Sequence, residues 1–378
     1  MKRIKNFPKF FIYGFYIFLF NCGIQSDGAS EKAQILGLVD SYLRTYTTSS
    51  LLLDISNNLI IPKYTNLDNK VSALQTAATT YVATPDATNL NLVKNAWIDA
   101  DLAYRQIEWA YFGPAYIPYN VYLYLDSFSK SFPIDPTSIE SKITSNLAPN
   151  GLRVDGLDAV EYLLFKDNVT TTNAAFADAN RKTYLTKLVQ DIKTQTGLLI
   201  FHWDKSRSSS FYYTFTNAGK GSREYPNTKD GLTELTNQMV FFCNTIVDIK
   251  IAEPSGLRAT NLGVKDITKV ETPYANLSLD SLLQNLQGFS DIGDAGLYKF
   301  LALRSETVVP RLQEQIKTTT SSVNSVKTKY GTLQNAITTG NQDVELMLSE
   351  FKKLRVLIST ELISALGGTI GASSNDGD

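Results

Sequence analysis

From about Glu31 to Leu366, apolar residues recur at three- and four-residue intervals, the signature of helices that bury one face. Leu36, Val39 and Leu43 begin the pattern, and Leu51–Leu53 and Leu59–Ile61 extend it to Pro62. Further helices are predicted over Leu67–Ala83 and Asn89–Tyr111, separated by Pro85-Asp86 and stopped by Gly113-Pro114. Tyr116–Phe132, rich in Tyr and broken by Pro118, reads as an irregular, partly buried connection. Helices over Pro136–Leu147, 157–165 and Asn173–Trp203 follow, then Gly231–Ile251, Leu279–Phe289, Gly296–Arg304, Thr307–Ala336 and Asn341–Leu366. Asp204–Asp230 interrupts the periodicity with Ser, Gly and Pro, and its aromatics suit a loop packed on the body. Alternating strand patterns are few. The expectation is an all-α chain of two packed four-helix-bundle-like halves, 31–203 and 231–378, joined by the linker loop 204–230.

The first 21 residues stand apart. Lys2, Arg3, Lys5 and Lys9 precede the apolar run FFIYGFYIFLF, which is short for a membrane span of about 20 residues and has the layout of a signal peptide. Leu19-Phe20-Asn21-Cys22 resembles a lipobox, so Cys22 is the expected lipidation site and residues 22–30 a small, polar tether. That predicts a protein anchored by its lipid in the bacterial cell envelope, at the outer membrane. With those four cations removed, 32 basic residues face 37 acidic ones, a net charge of −5. Such a balance offers no general footprint for nucleic acid. Cys243 is then the one remaining cysteine, so packing rather than a disulfide must hold the fold.

The candidate chemistry centres on Gly151–Lys166, GLRVDGLDAVEYLLFK. Wound as a helix, it sets Leu157, Val160 and Leu164 on one side and places Asp158 and Glu161 about 60° apart. Acids are rare inside so apolar a helix unless they are paired or bind something. Asp158-Ala-Val-Glu161 also has the spacing of a capping box, with Asp158 as N-cap and Gly156 turning the chain into the helix. Both readings stand on the sequence. Along Asn89–Tyr111, Trp97, Asp101, Tyr104, Glu108 and Tyr111 share a face. Asp101 can pair with Arg105 one turn on, or it can join Glu108 in facing Asp158 and Glu161. Arg105 and Arg153 are candidates to compensate such a cluster. The lone His202, beside Trp203, reads as structural, because metal sites need several converging ligands. There is no HExxH pair and no Gly-rich phosphate loop.

The central stretch resembles the Gly-x-His-x-x-Glu motif of the imelysin (M75 peptidase-like) family. Gly156 and Glu161 match it, and Asp158 stands where the family has His. Ala96-Trp97 through Glu108 and Phe112-Gly113-Pro114 resembles the family's AW…E…FGP segment. Glu271-Thr272-Pro273-Tyr274 resembles its ESP-type segment, and Ala365–Asp378 its ending. Asn285-Leu286-Gln287-Gly288 takes a loosely comparable place in the second half. The resemblance implies two helical halves with the motif in a cleft between them, and a role in iron-regulated uptake. On that basis the expected function is non-catalytic binding of a metal ion or small ligand by a monomeric envelope lipoprotein. Asp158 and Glu161 are the expected metal pair, Glu108 and Asp101 further ligand candidates, and Gly156, Trp97, Tyr104 and Glu271 the frame. Oxygen ligands suit a hard divalent cation or iron better than zinc. The alternatives are a structural or adhesive surface lipoprotein that has lost the site, and a peptidase. Catalysis is disfavoured by the missing motif His and the absence of a signalled Ser-His or Cys-His pair.

Overall fold

A computed structural model describes residues 46–116, 118–126, 134–151 and 153–367. The expected signal peptide, Cys22, the expected tether, the helix expected from Glu31, part of the Tyr-rich connection and the end of the tail lie outside the described residues. Those from Thr47 onward belong to one compact unit. The described elements are helices and turns, with no strand among them.

The helices are α1 (Thr48–Ile55), α2 (Ile61–Ala83), α3 (Ala87–Arg105), α4 (Val121–Leu125), α5 (Pro136–Thr144), α6 (Gly156–Phe165), α7 (Val169–Ala175), α8 (Ala179–His202), α9 (Phe211–Thr216), α10 (Thr228–Asn244), α11 (Ser278–Ile292), α12 (Tyr298–Ala302), α13 (Val308–Tyr330), α14 (Leu333–Thr339) and α15 (Asn341–Val356). Polar caps fix many starts. Thr47, Asp86, Asp135, Asn168, Asp178 and Thr332 each accept a backbone N–H from the first turn. Asn227 and Asp230 form a reciprocal capping box on α10.

Two expected helices divide. The stretch read as Asn173–Trp203 breaks at Phe176–Asp178, where Asp178 caps α8. Thr307–Ala336 breaks at Gly331, whose φ of +76° lies in the left-handed region that suits glycine. Wider turns join others. Ser56–Ile60, Thr245–Ala252, Gly293–Leu297 and Leu357–Leu362 wind as π-helix, each a local loosening inside a longer rod.

In the first bundle α2 packs on α3 and α8, and α6 packs on α3 and α8. In the second, α13 packs on α11 and α15, and α10 on α15. Helix α11 lies along α3 and joins the two sets. Phe211 and Phe215 of the interrupting segment are buried against Phe112 and Trp203. Leu157, Val160 and Leu164 are buried as the periodicity requires, and every other residue from Gly156 to Leu164 is buried as well. A helix enclosed on all sides has no solvated face for its acids, which makes Asp158 and Glu161 interior residues.

Candidate cation site

The last turns of α3 carry Asp101, Tyr104 and Arg105, and the chain then turns through Glu108. Arg105 is fully buried, and its guanidinium organises the interior. Nη2 lies 2.7 Å and Nε 3.1 Å from Asp101 Oδ1, the i,i+4 pair that the sequence allowed. Nη1 is 2.5 Å from Asp126 Oδ2, 2.8 Å from Glu271 Oε1 and 3.5 Å from Glu108 Oε2. Lys250, also buried, places Nζ 2.7 Å from Glu108 Oε2 and 2.8 Å from Glu271 Oε1, and donates to Asn285 Oδ1 at 3.1 Å. Asn285 Nδ2 in turn donates to the Arg105 carbonyl at 2.9 Å and to Glu108 Oε2 at 3.2 Å.

Local backbone features deliver these side chains. Gly156, at φ +73°, opens α6 where an added Cβ would come within 2.8 Å of the Leu125 carbonyl. Only glycine lets α6 seat against the end of α4, beside Asp126. Gly288 does the same between α11 and α3, where a Cβ would stand 2.6 Å from the Gln106 carbonyl. That close approach brings Asn285 to Arg105. Lys250 comes from the π turn Thr245–Ala252, and Glu271 from the segment leading into α11.

Carboxylate oxygens of Glu108, Asp126 and Glu271 lie within 4.8 Å of one another, all buried. With Asp101 the cluster holds four carboxyls against two cations. Glu271 Oε1 contacts Arg105 and Lys250 at ion-pair distance but not at hydrogen-bonding angles; its Oε2, and Asp101 Oδ2, have no hydrogen-bond partner. Burial raises the Asp101 carboxyl to about 6, against the pull of Arg105 and with a further push from Glu271. Burial raises Glu108 too, opposed by Lys250 and Arg105. Arg105 stays charged, because its four acids outweigh the cost of burying it.

A small cavity of about 30 Å³ reaches Glu108 and Asp126. Tyr104, Trp109, Tyr111, Tyr122, Phe241 and Phe242 wall it. That is room for a water or a bare ion, not for a large ligand. The Tyr104 phenol is pushed far above its usual range by burial and then by Asp126 and Glu108, so it remains a neutral donor.

Glu108, Asp101, Glu271 and Tyr104 therefore converge as expected residues of one place, with Arg105 as the compensating cation. Arg153 is exposed. Trp97 lies away from the cavity lining: its indole N–H donates to the Leu157 carbonyl at 2.9 Å and its ring packs on Phe165, clamping α6 to α3. Asp158 and Glu161 stand outside the carboxylate triad. The capping-box reading of this pair gives way: the N-cap position falls three residues earlier, at Asp155, Asp158 lies in the first turn of α6, and Glu161 turns elsewhere. Glu161 Oε1 accepts the backbone N–H groups of Tyr274 and Ala275 at 2.8 and 2.7 Å. Burial raises its carboxyl to about 8, partly opposed by the Ala275 amide, while Asp101 pushes it up further. His202 stacks on Tyr119 with ring centres 4.0 Å apart, a structural place.

Sequence reasoning missed Asp126 and Lys250. Each is a charge set at or in an apolar run, Asp126 directly after VYLYL and Lys250 between Ile249 and Ile251, and that oddity was the available signal.

The family model for imelysin matches residues 60–360. The chain belongs to the imelysin family. Among its relatives, iron-regulated protein A of Synechococcus elongatus is 22% identical over 330 residues, covering 85% of each chain. The imelysin-like protein of Psychrobacter arcticus has the same fold, at a TM-score of 0.68 with 17% identity, over 86% of this chain and 96% of its own. A Parabacteroides distasonis protein assigned as an iron-regulated protein A precursor aligns with a TM-score of 0.71 and 17% identity, over 84% of this chain and 94% of its own. These likenesses cover both helical sets, so all the elements that build the carboxylate cluster belong to the imelysin body. No described helix is long and apolar enough to cross a membrane.

Proposed function

We propose that this imelysin-family chain is a non-catalytic binding protein of the cell envelope, lipid-anchored through Cys22 and monomeric, that takes a small cation at Glu108, Asp126 and Glu271. The observation that carries the reading is the surplus of buried negative charge. Four carboxyls share two cations, and Glu271 Oε2 and Asp101 Oδ2 face no donor. Buried charge left uncompensated is strongly disfavoured, so a bound cation or protons must make up the difference. The donors are all hard oxygens, which fits iron, calcium or magnesium and not a thiolate-seeking metal. The relative's name, iron-regulated protein A, supports iron among these. Catalysis of the zinc-hydrolase type finds no support, since the sequence has one His and it stacks on Tyr119.

One observation favours a second reading. Arg105 Nη1 already lies among the three triad carboxylates, as a tethered cation would. In that reading the cluster is a structural ionic core, and the protein is a surface scaffold without a ligand.

Metal analysis and calorimetric titration of the purified mature protein separate the two. Ferric iron, calcium or magnesium binding with one-to-one stoichiometry, lost in Glu108→Gln and Asp126→Asn, is the expected result. No bound metal and no heat with any of the three ions would leave the scaffold reading in possession.

A further inference from the structure

Glu161 is the motif acid that a sequence reading takes first as a ligand. We propose instead that it is a positioning residue: its carboxyl group holds the Glu271–Asn276 turn and thereby sets where Glu271 stands. The inference rests on the cation-binding reading only for what Glu271 does, not for how the turn is held.

The turn is an improbable piece of backbone. Thr272 and Asn276 both have left-handed φ values, 48° and 59°. A β-branched residue rarely adopts that conformation and needs outside fastening to keep it. Some fastening is local: Asn276 N–H donates to the Thr272 carbonyl at 3.0 Å, and Ser278 Oγ donates to the Glu271 carbonyl. Gln334 adds a bond to the Pro273 carbonyl at 3.0 Å. The two amides at the crown, Tyr274 and Ala275, are instead taken by Glu161 Oε1. A carboxyl oxygen that accepts two short N–H bonds has both lone-pair directions committed, so this oxygen is not offered to an ion. The Tyr162 and Tyr274 rings meet edge to face at 5.6 Å, a second attachment between the same two segments.

Glu271 begins this turn, and its Oε1 lies 2.8 Å from both Arg105 Nη1 and Lys250 Nζ. Glu161 thus reaches the cluster through the backbone of another segment. The motif on α6 and the Glu271-Thr272-Pro273-Tyr274 segment, read from the sequence as separate signatures, are the two sides of one joint.

The test uses the mature chain and its Glu161→Gln, Glu161→Asp and Glu161→Ala variants, with two readouts. The first is hydrogen exchange at the Tyr274 and Ala275 amides. The second is the affinity for calcium or ferric iron by calorimetry. The Gln side-chain oxygen accepts the same two N–H groups, so Glu161→Gln should keep both amides protected and keep the affinity. Glu161→Asp retains the carboxyl group but draws its oxygen back by a methylene. It should speed exchange about 10-fold or more and weaken the cation by about 10–100-fold, as losing a supporting partner does. Glu161→Ala should do the same if it folds, and Glu161→Asp decides the matter if it does not. Lost affinity in Glu161→Gln with both amides still protected would make Glu161 a ligand and overturn the proposal. If wild type binds neither ion, the cation reading fails and exchange alone judges the joint: unchanged protection in Glu161→Asp would overturn it.

Discussion

The raised Glu161 carboxyl makes the stability of the fold depend on pH in a way that one substitution isolates. Its folded value of about 8 lies above the ordinary 4.5, because a side chain 1% exposed resists ionisation. Between those values the folded chain keeps a proton that the unfolded chain has released. The contribution is therefore fully present below pH 4.5 and is lost as pH rises through about 8. Each pH unit inside the window costs about 1.4 kcal/mol for one group, so the whole traverse amounts to roughly 3–5 kcal/mol. Glu161→Gln removes the titration and keeps the acceptor. Urea unfolding of both proteins at pH 5, 6, 7 and 8 should show wild type losing stability relative to the variant at each step. Taking the difference cancels the parallel trend of a group that does not act on Glu161, such as Asp155, raised to about 7 by burial. Curves that stay parallel across the window would refute the buried, protonated state of Glu161.

Lys250→Met should lower the unfolding free energy by about 3–5 kcal/mol at neutral pH, because it leaves Glu108 and Glu271 buried with one cation fewer. Urea denaturation measures it, and a loss under 1 kcal/mol would mean that water reaches the cluster. Gly156→Ala should cost about 1–3 kcal/mol, since φ +73° and the Leu125 carbonyl both resist a Cβ; a thermal melt equal to wild type would show that α6 can shift. Cys22→Ala should move the protein from the membrane to the soluble fraction on cell fractionation, and unchanged partitioning would remove the lipid anchor.

Much of the helical body was legible because burial imposes the 3.6-residue period wherever a helix packs. The breaks at Phe176–Asp178 and Gly331 were less so, since a turn that leaves the apolar stripe in phase does not disturb its pattern. At the cluster, Asp101 and Arg105 could be paired from the sequence because they are one turn apart. Glu108 and Lys250 could not: 142 residues separate them, and only the tertiary fold brings them together, with Asn285 of α11 bonded to both. Asp126 was hidden in the same way, its neighbour Arg105 lying 21 residues back across a Tyr-rich connection with no clear period. Glu161 was singled out correctly as an interior acid. What it does there depends on backbone amides more than a hundred residues away, which no local spacing encodes.

The π turn Thr245–Ala252 makes the length of its helix a functional variable. A π turn amounts to one residue more than an α-helix needs over the same rise, so everything after it is rotated by about 100° relative to an unbroken rod. Deleting a single residue upstream of Lys250 within the turn would let the rod close to regular α geometry. The ammonium group would then swing off Glu108 while every side chain of the cluster remained in the sequence. One deletion in the turn would therefore dismantle this ionic core as effectively as a substitution at Lys250 itself.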